Sequence, residues 1–172
     1  MKKILLLSDT HCYLDDAILK HVAQANEVWH AGDMGTIETA DQIAAMKPLR
    51  AVYGNIDDAK VRQVYPLHNR FVCEGLDVWI THIGGYPGRY NPAIKTDIQL
   101  NPPQLFISGH SHILRVMRDV KQAILHMNPG AAGVHGFHKM RTMLRFEIND
   151  GMIGKVEVIE LGLRGSLPKP VG

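Results

Sequence analysis

The sequence predicts a mixed α/β fold in which two β-sheets pack face to face and helices cover the outside. The first half alternates strand-like apolar runs with runs of helical periodicity, whereas the second half consists mostly of strand-like runs separated by turns. With 172 residues the chain is long enough for one domain that buries roughly two thirds of its unfolded surface. We therefore expect a single domain over residues 1–163 and a flexible tail over residues 164–172.

The first half is predicted to run strand, helix, strand, helix, strand. "KKILLL" is an apolar run typical of a buried strand, and Ile18, Leu19 and Val22 recur at helical spacing in "DDAILKHVAQA". "EVWHAGD" supplies a second short strand. Thr36 is a suitable N-cap for a helix in "TIETADQIAAMK", and a third strand follows in "PLRAVYGNIDD".

The second half is predicted to be mostly β. "NRFVCEG" and "LDVWITH" are typical of a hairpin that turns near Glu74 and Gly75, and a Gly/Pro/Tyr-rich loop, "GGYPGRYNP", follows. One short helix, "AIKTDIQL", comes next. The remaining strands are predicted in "QLFISGHSH", "RVMRDV", "AILHMNPG", "TMLRFEI" and "GKVEVIEL".

Composition narrows the classes of partner and location. The 19 Lys and Arg against 17 Asp and Glu form no basic block, so we expect no long nucleic acid as a partner. The longest apolar run is far short of the about 20 residues that a membrane helix needs, and "MKKILLLSD" is too short for a signal peptide. Cys12 and Cys73 fit no zinc or disulfide spacing, which favours a reducing, cytoplasmic location. A homo-oligomer is left open.

Metal-ligand side chains follow five of the predicted strands. They are Asp9 and His11, then Asp33, then Asn55, then His82, and finally His110 with His112. The two i, i+2 pairs would lie on one side of an extended chain and reach one cavity. Glycines 32, 54 and 109 directly precede ligands, where we expect the backbone to turn sharply.

Seven ligands are more than the three or four that a single catalytic zinc takes, so two metals fit better. Two divalent ions bring four positive charges against two carboxylates, and the site should attract an anion. Paired metals about 3.5 to 4 Å apart suit in-line attack on phosphorus, because they generate the hydroxide and offset charge on the phosphoryl oxygens. Phosphoester hydrolysis is therefore the leading chemistry.

The motifs "DTH", "GD", "GNID", "TH" and "GHSH" together resemble the calcineurin-like metallophosphoesterases, in particular their small single-domain bacterial and archaeal phosphodiesterases. The resemblance runs from residue 4 to about residue 130. It implies a metallophosphoesterase-like β-sandwich flanked by helices, two divalent metals per chain and a bridging hydroxide as nucleophile. Mn²⁺ is the favoured metal, with Zn²⁺, Ni²⁺ and Mg²⁺ as alternatives. The resemblance assigns Asp9, His11 and His112 to one metal, Asn55, His82 and His110 to the other, and Asp33 to both.

One position departs from the family pattern. The third motif usually carries a histidine after Asn55 that assists the leaving group, and this chain has Ile56 there. An alkyl side chain cannot deliver a proton, so proton delivery is unassigned. Asn55 and Asp57 are the candidate catalytic residues of this motif. Asp57 is interpreted as a group that orients a ligand, with an N-cap of the next helix as the alternative.

Other candidates are weaker. Arg89 could bind the substrate by holding a phosphate bidentately, although an arginine in such a loop is as often solvated. His135 and His138 could line the mouth of the site and supply the missing proton, or could simply lie in a surface turn. His30 is interpreted as a core or ligand-orienting histidine, and Cys12 as a packing residue.

The leading functional hypothesis is a metal-dependent phosphodiesterase that acts on small phosphodiesters. One alternative is a non-catalytic protein-interaction scaffold on the same fold, since the family contains a trafficking-complex subunit of similar size. Another is a nucleotide or dinucleotide phosphohydrolase. All seven ligand positions carry competent side chains, which a scaffold would be free to lose, and this favours the enzyme.

Overall fold

The computed structural model describes residues 1–165. Most of the predicted tail, residues 166–172, lies outside the described residues. The first half contains β1 (Lys2–Leu7), α1 (Asp16–Gln24), β2 (Glu27–His30), α2 (Ile37–Ala44), β3 (Leu49–Ala51) and α3 (Ala59–Val64). The second half contains β4 (His68–Cys73), β5 (Leu76–Thr81), β6 (Gly85–Tyr86), β7 (Arg89–Tyr90), α4 (Pro92–Leu100), β8 (Leu105–Ile107), β9 (Leu114–Asp119), β10 (Ile124–Pro129), β11 (Met140–Asn149) and β12 (Met152–Leu163).

The strands form two five-stranded sheets. The first has the order β12-β11-β1-β2-β3, in which β1, β2 and β3 are parallel. The second has the order β4-β5-β8-β10-β9, in which β5, β8 and β10 are parallel and the two edge strands antiparallel. The β4–β5 hairpin is confirmed, while the small β6–β7 hairpin inside the Gly/Pro/Tyr loop was not predicted.

Both faces of β1 are buried, which explains its continuous apolar run. Ile4 and Leu6 belong to the core between the two sheets, where they lie with residues of the second sheet such as Ile80 and Ile107. Leu5 and Leu7 alternate with them and pack with residues of α1 instead.

Helices cover the outer face of each sheet. Ile18 of α1 packs against the first sheet, and Ile94 and Ile98 of α4 pack with Trp79 on the outside of the second. The layers are therefore helix, sheet, sheet, helix, and the predicted two-sheet architecture with flanking helices is confirmed. None of the helices within residues 1–165 combines the length and apolarity that crossing a bilayer requires.

Candidate metal centre

The loops that follow five parallel strands meet at one edge of the sandwich. The N–H group of Asp9, after β1, donates to the Gly32 carbonyl after β2 at 3.0 Å. The N–H group of Gly109, after β8, donates to the carbonyl of His82, after β5, also at 3.0 Å. Both sheets thus contribute loops to the same site.

The seven predicted ligands come together in two groups. The ligand atoms of Asp9, His11 and His112 lie within 4.8 Å of one another, and so do those of Asp33, His82 and His110. The Oδ1 atom of Asn55 lies 3.1 Å from Nε2 of His82, beside the second group. The grouping has the composition that the resemblance implied, and either group could hold a metal ion.

Asp33 lies between the two groups. Its Oδ2 atom is 3.6 Å from Nε2 of His11 and 3.2 Å from Nε2 of His82. Its Oδ1 atom accepts a hydrogen bond from the N–H group of Ile56 at 3.0 Å. This bond fixes the rotation of the carboxylate and leaves Oδ2 facing the histidines.

Two buried polar atoms in the site have no hydrogen-bond partner within the described residues, Oδ1 of Asp9 and Nε2 of His11. The other carboxylate oxygen of Asp9 is satisfied, because it accepts from Oγ of Ser8 at 2.6 Å and from the N–H group of His110 at 3.2 Å. A buried carboxylate oxygen without a partner is costly. A cation held by Asp9, His11 and His112 would satisfy both atoms, so the residues present fit a bound metal.

Hydrogen bonds orient two of the imidazoles so that Nε2 faces the site. Nδ1 of His82 donates to the Ala31 carbonyl at 2.7 Å, which leaves Nε2 toward the carboxylates. Nε2 of His138 bonds to the Gly133 carbonyl at 2.9 Å, so its Nδ1 accepts from Nδ1 of His112 at 3.2 Å. His112 then presents its Nε2 lone pair, as metal-binding histidines do.

The electrostatics of the site also favour a cation. Burial lowers the pKa of His11 and of His110 and keeps both rings neutral. Burial also acts to lower the pKa of His82, but hydrogen bonding to Asp33 and the charge of Asp9 outweigh it and raise this pKa. The carboxylates that raise the pKa of His82 would equally attract a metal ion.

Five ligands have left-handed backbone conformations that residues other than glycine rarely adopt. They are Asp9 (φ 55°), His11 (φ 47°), Asp33 (φ 57°), His110 (φ 67°) and His112 (φ 58°). The i, i+2 pairs were expected to lie on extended chain, and this expectation is wrong. Tight turns after each strand bring both members of a pair into the site.

The glycines next to the ligands correct a second expectation. Gly32 has φ +98° and does turn the chain, but Gly54 and Gly109 have no positive φ. A Cβ atom at Gly54 would overlap the Asp33 carboxylate, and one at Gly109 would lie 3.1 Å from Oδ2 of Asp9. These two glycines make room for the ligands.

Asp57 joins two of the ligand loops. Its carboxylate accepts from the N–H groups of Asp33 at 3.0 Å, Gly35 at 2.7 Å and Gly54 at 2.7 Å. Burial raises the pKa of Asp57 in spite of these bonds. The N-cap of α3 is the next residue, Asp58, whose side chain accepts from the N–H group of Val61. The capping alternative for Asp57 is therefore wrong.

Arg62 is a supporting residue that the sequence analysis missed. From α3 it donates to the carbonyls of Asp57 at 2.8 Å, Asn55 at 3.1 Å and Gly54 at 3.3 Å. It therefore holds the Asn55 loop from outside the site. No sequence signal distinguishes it from an ordinary helical arginine.

The metals would lie at the base of a cleft of about 510 Å³, which His135 and His138 line together with Ile56. The ring centroid of His135 is 4.9 Å from that of His11. His135 and His138 therefore lie beside the ligands, not in a remote surface turn.

The three other residues singled out lie away from this cleft. His30 is fully buried between Thr10 and Gly32, and burial lowers its pKa to about 3. It supports both ligand loops, as expected. Cys12, expected to pack, is exposed. Arg89 is exposed and lines a neighbouring cavity that shares a wall with the metal centre.

The four-layer sandwich and the two ligand groups at its strand ends define a candidate metal-binding protein of the phosphoesterase type. The family model of the calcineurin-like phosphoesterase superfamily domain matches residues 1–151. The chain belongs to this superfamily.

Solved structures show the same fold. A novel archaeal phosphodiesterase is 20% identical, with 92% of this chain and 99% of that chain covered and a TM-score of 0.72. Vps29 in complex with zinc from Entamoeba histolytica is 17% identical, with 95% and 99% covered and a TM-score of 0.71. A predicted phosphoesterase from Streptococcus pneumoniae is 20% identical, with 99% and 94% covered and a TM-score of 0.64. The comparison with curated proteins gave no match.

Proposed function

We propose that this protein is a metal-dependent phosphodiesterase that hydrolyses small phosphodiesters. The observation that carries the proposal is the pair of buried atoms without a partner among the described residues, Oδ1 of Asp9 and Nε2 of His11, within the first of two adjacent ligand groups. A site that lacks a cation leaves both atoms unsatisfied, and a catalytic metal centre satisfies them.

The proposed ligand sets follow the two groups. Asp9, His11 and His112 hold one ion, Asn55, His82 and His110 hold the other, and Asp33 binds both. Mn²⁺ is the favoured metal, with Zn²⁺, Ni²⁺ and Mg²⁺ as alternatives. Two divalent ions here would supply the bridging hydroxide nucleophile and offset the charge that gathers on the phosphoryl oxygens.

The residues around the ligands are proposed to hold the site in one geometry. His138 fixes the ring of His112, and Asp57 fixes the loops of Asp33 and Asn55 through three backbone N–H groups. Such supporting groups commonly change metal affinity or activity about 10- to 100-fold when removed. Ile56 offers no proton, so His135, beside His11, is the first candidate to assist the leaving group.

The cleft suits a small diester. Its volume of about 510 Å³ accommodates a phosphate with two modest substituents, and no lysine or arginine within residues 1–165 lines it. A polynucleotide needs a track of cationic side chains along its phosphates. Small diesters are therefore the proposed substrates, and the free thiols of both cysteines support a reducing, cytoplasmic location.

The test is a panel of substrates and metals. Metal-free protein is supplied with Mn²⁺, Mg²⁺, Zn²⁺ or Ni²⁺ and assayed against phosphomonoesters, aryl and alkyl diesters, nucleotides and dinucleotides. We expect metal-dependent hydrolysis that is highest for small diesters. Absence of hydrolysis for every diester with every metal would overturn the proposal, and a clear preference for nucleotides or dinucleotides would favour the nucleotide phosphohydrolase instead.

A protein-interaction scaffold is the alternative from another class. It is favoured by three exposed apolar side chains at the mouth of the cleft, Ile56 (43%), Ile113 (55%) and Phe137 (102%). A scaffold would show no turnover in the panel, and binding of its partner would depend on Phe137. An enzyme would hydrolyse small diesters in the panel without any partner protein.

A further inference from the structure

A second cavity of about 290 Å³ lies beside the metal centre. We call it the side cavity, and its functional wall consists of Tyr86, Arg89, His110, Arg115 and His126. His110, a proposed metal ligand, lines both the side cavity and the metal cleft. A substituent on a phosphate at the metals can therefore reach into the side cavity.

The wall of the side cavity is positively charged. Arg89 and Arg115 both line it, and no aspartate or glutamate among the described residues does. The guanidinium carbon of Arg115 lies 3.7 Å from the centroid of the Tyr86 ring, a cation–π contact that keeps it at this wall. Within residues 1–165 neither arginine has an ion pair with a carboxylate, so both can bind an incoming anion.

His126 lines the cavity as a buried, uncharged group. The residue is 1% exposed. Oγ of Ser108 donates to the Gly85 carbonyl at 2.9 Å, so Nε2 of His126 donates to Oγ of Ser108 at 3.0 Å. Burial lowers the pKa of His126 to about 4, so the ring is neutral. The positive charge of the wall therefore comes from the two arginines.

We propose that the side cavity binds one alcohol portion of the phosphodiester substrate and selects an alcohol that carries a second anionic group. Arg89 and Arg115 bind the anion. The anion is a carboxylate or a phosphate. This inference rests on the proposed phosphodiesterase function, and it gives Arg89 a binding role away from the metals.

Binding to the metal-free protein tests the cavity without any turnover. NMR titrations would compare glycerol 3-phosphate, glycerate and glycerol, which share hydroxyls and differ in the anion. We expect one or both anions to bind with shifts at Arg115 and His126, glycerol to bind more weakly, and Arg115→Met or Arg89→Met to weaken the anion about tenfold or more. The anion that binds more tightly shows whether the side cavity selects a carboxylate or a phosphate.

The matched control is Arg118→Met, since Arg118 is exposed on the same strand, β9, and lines no part of the side cavity. Equal binding of glycerol and the two anions would overturn the proposal. So would an equal loss of anion binding in Arg115→Met and Arg118→Met, because a general charge effect would then explain it.

Turnover by the metal-loaded protein gives a second readout. Two p-nitrophenyl diesters would be compared, one with an ethyl group and one with a 2-carboxyethyl group as the second substituent. We expect a higher kcat/KM for the carboxyethyl diester and a ratio that falls toward one in Arg115→Met but not in Arg118→Met. If wild type hydrolyses both diesters with a ratio near one, the inference fails and the phosphodiesterase function stands. If wild type hydrolyses neither diester, the proposed phosphodiesterase function is wrong. The NMR titrations alone then decide whether the side cavity binds an anion.

Discussion

The two ends of the β1–β2 strand pair each bury a carboxylate, and they satisfy it in different ways. At the start of β2, Glu27 is 4% exposed. It accepts hydrogen bonds from Lys2 at 3.1 Å, from the indole of Trp29 at 2.9 Å and from Arg50. Burial acts to raise the pKa of Glu27, but these three donors outweigh it and lower the pKa. The buried carboxylate of Glu27 is therefore satisfied by the protein's own donors.

At the other end, Asp9 is fully buried, and one of its oxygens has no hydrogen-bond partner among residues 1–165. Its nearest basic neighbours are imidazoles, with Nε2 of His112 at 3.1 Å and Nε2 of His82 at 3.8 Å. In the described part of the chain, no lysine or arginine lines the metal cleft to compensate this charge. The comparison teaches that the Glu27 end is satisfied by the protein's own side chains, whereas the Asp9 end is the one at which we propose a bound cation.

The largest effect should come from the metal end. Asp33→Asn removes the carboxylate that lies between the two ligand groups, so both metals bind more weakly and turnover falls to background. The thermal midpoint of the metal-free protein should change little, because the side chain lies after a strand end and outside the apolar core. The measurements are kcat at saturating Mn²⁺ and thermal unfolding without metal.

The matched control is Asp41→Asn, an exposed carboxylate on α2 that contacts no proposed ligand. It should keep the turnover of wild type. Wild-type kcat in Asp33→Asn at saturating Mn²⁺ would show that the assigned bridging role is wrong and would remove the functional half of the comparison.

Glu27→Gln should do the opposite: it should lower stability and leave turnover intact. It leaves Lys2 and Arg50 without their carboxylate, and breaking a buried ion pair costs about 3 to 5 kcal/mol. Because both cations are about a third exposed, we expect a loss at or below the lower end, about 2 to 3 kcal/mol in the free energy of unfolding. Turnover should remain. Loss of turnover in the folded variant would show that the two ends are not separate.

The same variant tests a predicted pH dependence of the free energy of unfolding. The pKa of Glu27 is lower in the folded protein than its ordinary value. Its contribution is therefore present above the unfolded pKa of about 4.3 and is lost as the pH falls through the folded pKa. The difference in unfolding free energy between wild type and Glu27→Gln should shrink as the pH is lowered from 7 toward 3. A constant difference over that range would contradict the assignment.

The smallest effect concerns Ile56, which is 43% exposed at the cleft and leaves room for a larger ring. Without an acid there, activity should depend steeply on leaving-group pKa, and aryl diesters should be cleaved better than alkyl esters. Ile56→His should raise kcat/KM for alkyl esters more than for aryl diesters, by less than the about 10²- to 10⁴-fold of a well-placed general acid. A flat dependence in wild type would show that another group, with His135 or His138 first in line, already delivers the proton.

The sequence predicts the fold and the ligand types because both depend on local pattern. The apolar run of β1 and the polar residues after each strand are visible without coordinates. The left-handed turns at Asp9 and His110 are not, because their conformations are imposed by contacts between loops far apart in the chain. Gly54 is similar, since it faces a carboxylate from another strand.

The roles of neighbouring residues of one type also cannot be predicted from the sequence. Asp57 and Asp58 are adjacent carboxylates, and only the structure shows that the first binds three backbone N–H groups while the second caps α3. In the sequence, Arg115 and His126 are ordinary members of the alternating polar and apolar pattern of β9 and β10. Their shared cavity depends on the packing of the β6–β7 hairpin against them, which no local pattern encodes.

The central claim is that the Asp9 end of the sheet is completed by two cations, and counting the metals tests it most directly. Protein dialysed against Mn²⁺ would be analysed for metal content, and anomalous scattering would locate each ion. The account predicts two ions per chain, one held by Asp9, His11 and His112 and one by Asn55, His82 and His110, with Asp33 binding both. A single ion in a fully occupied protein, with all seven side chains ordered, would contradict it.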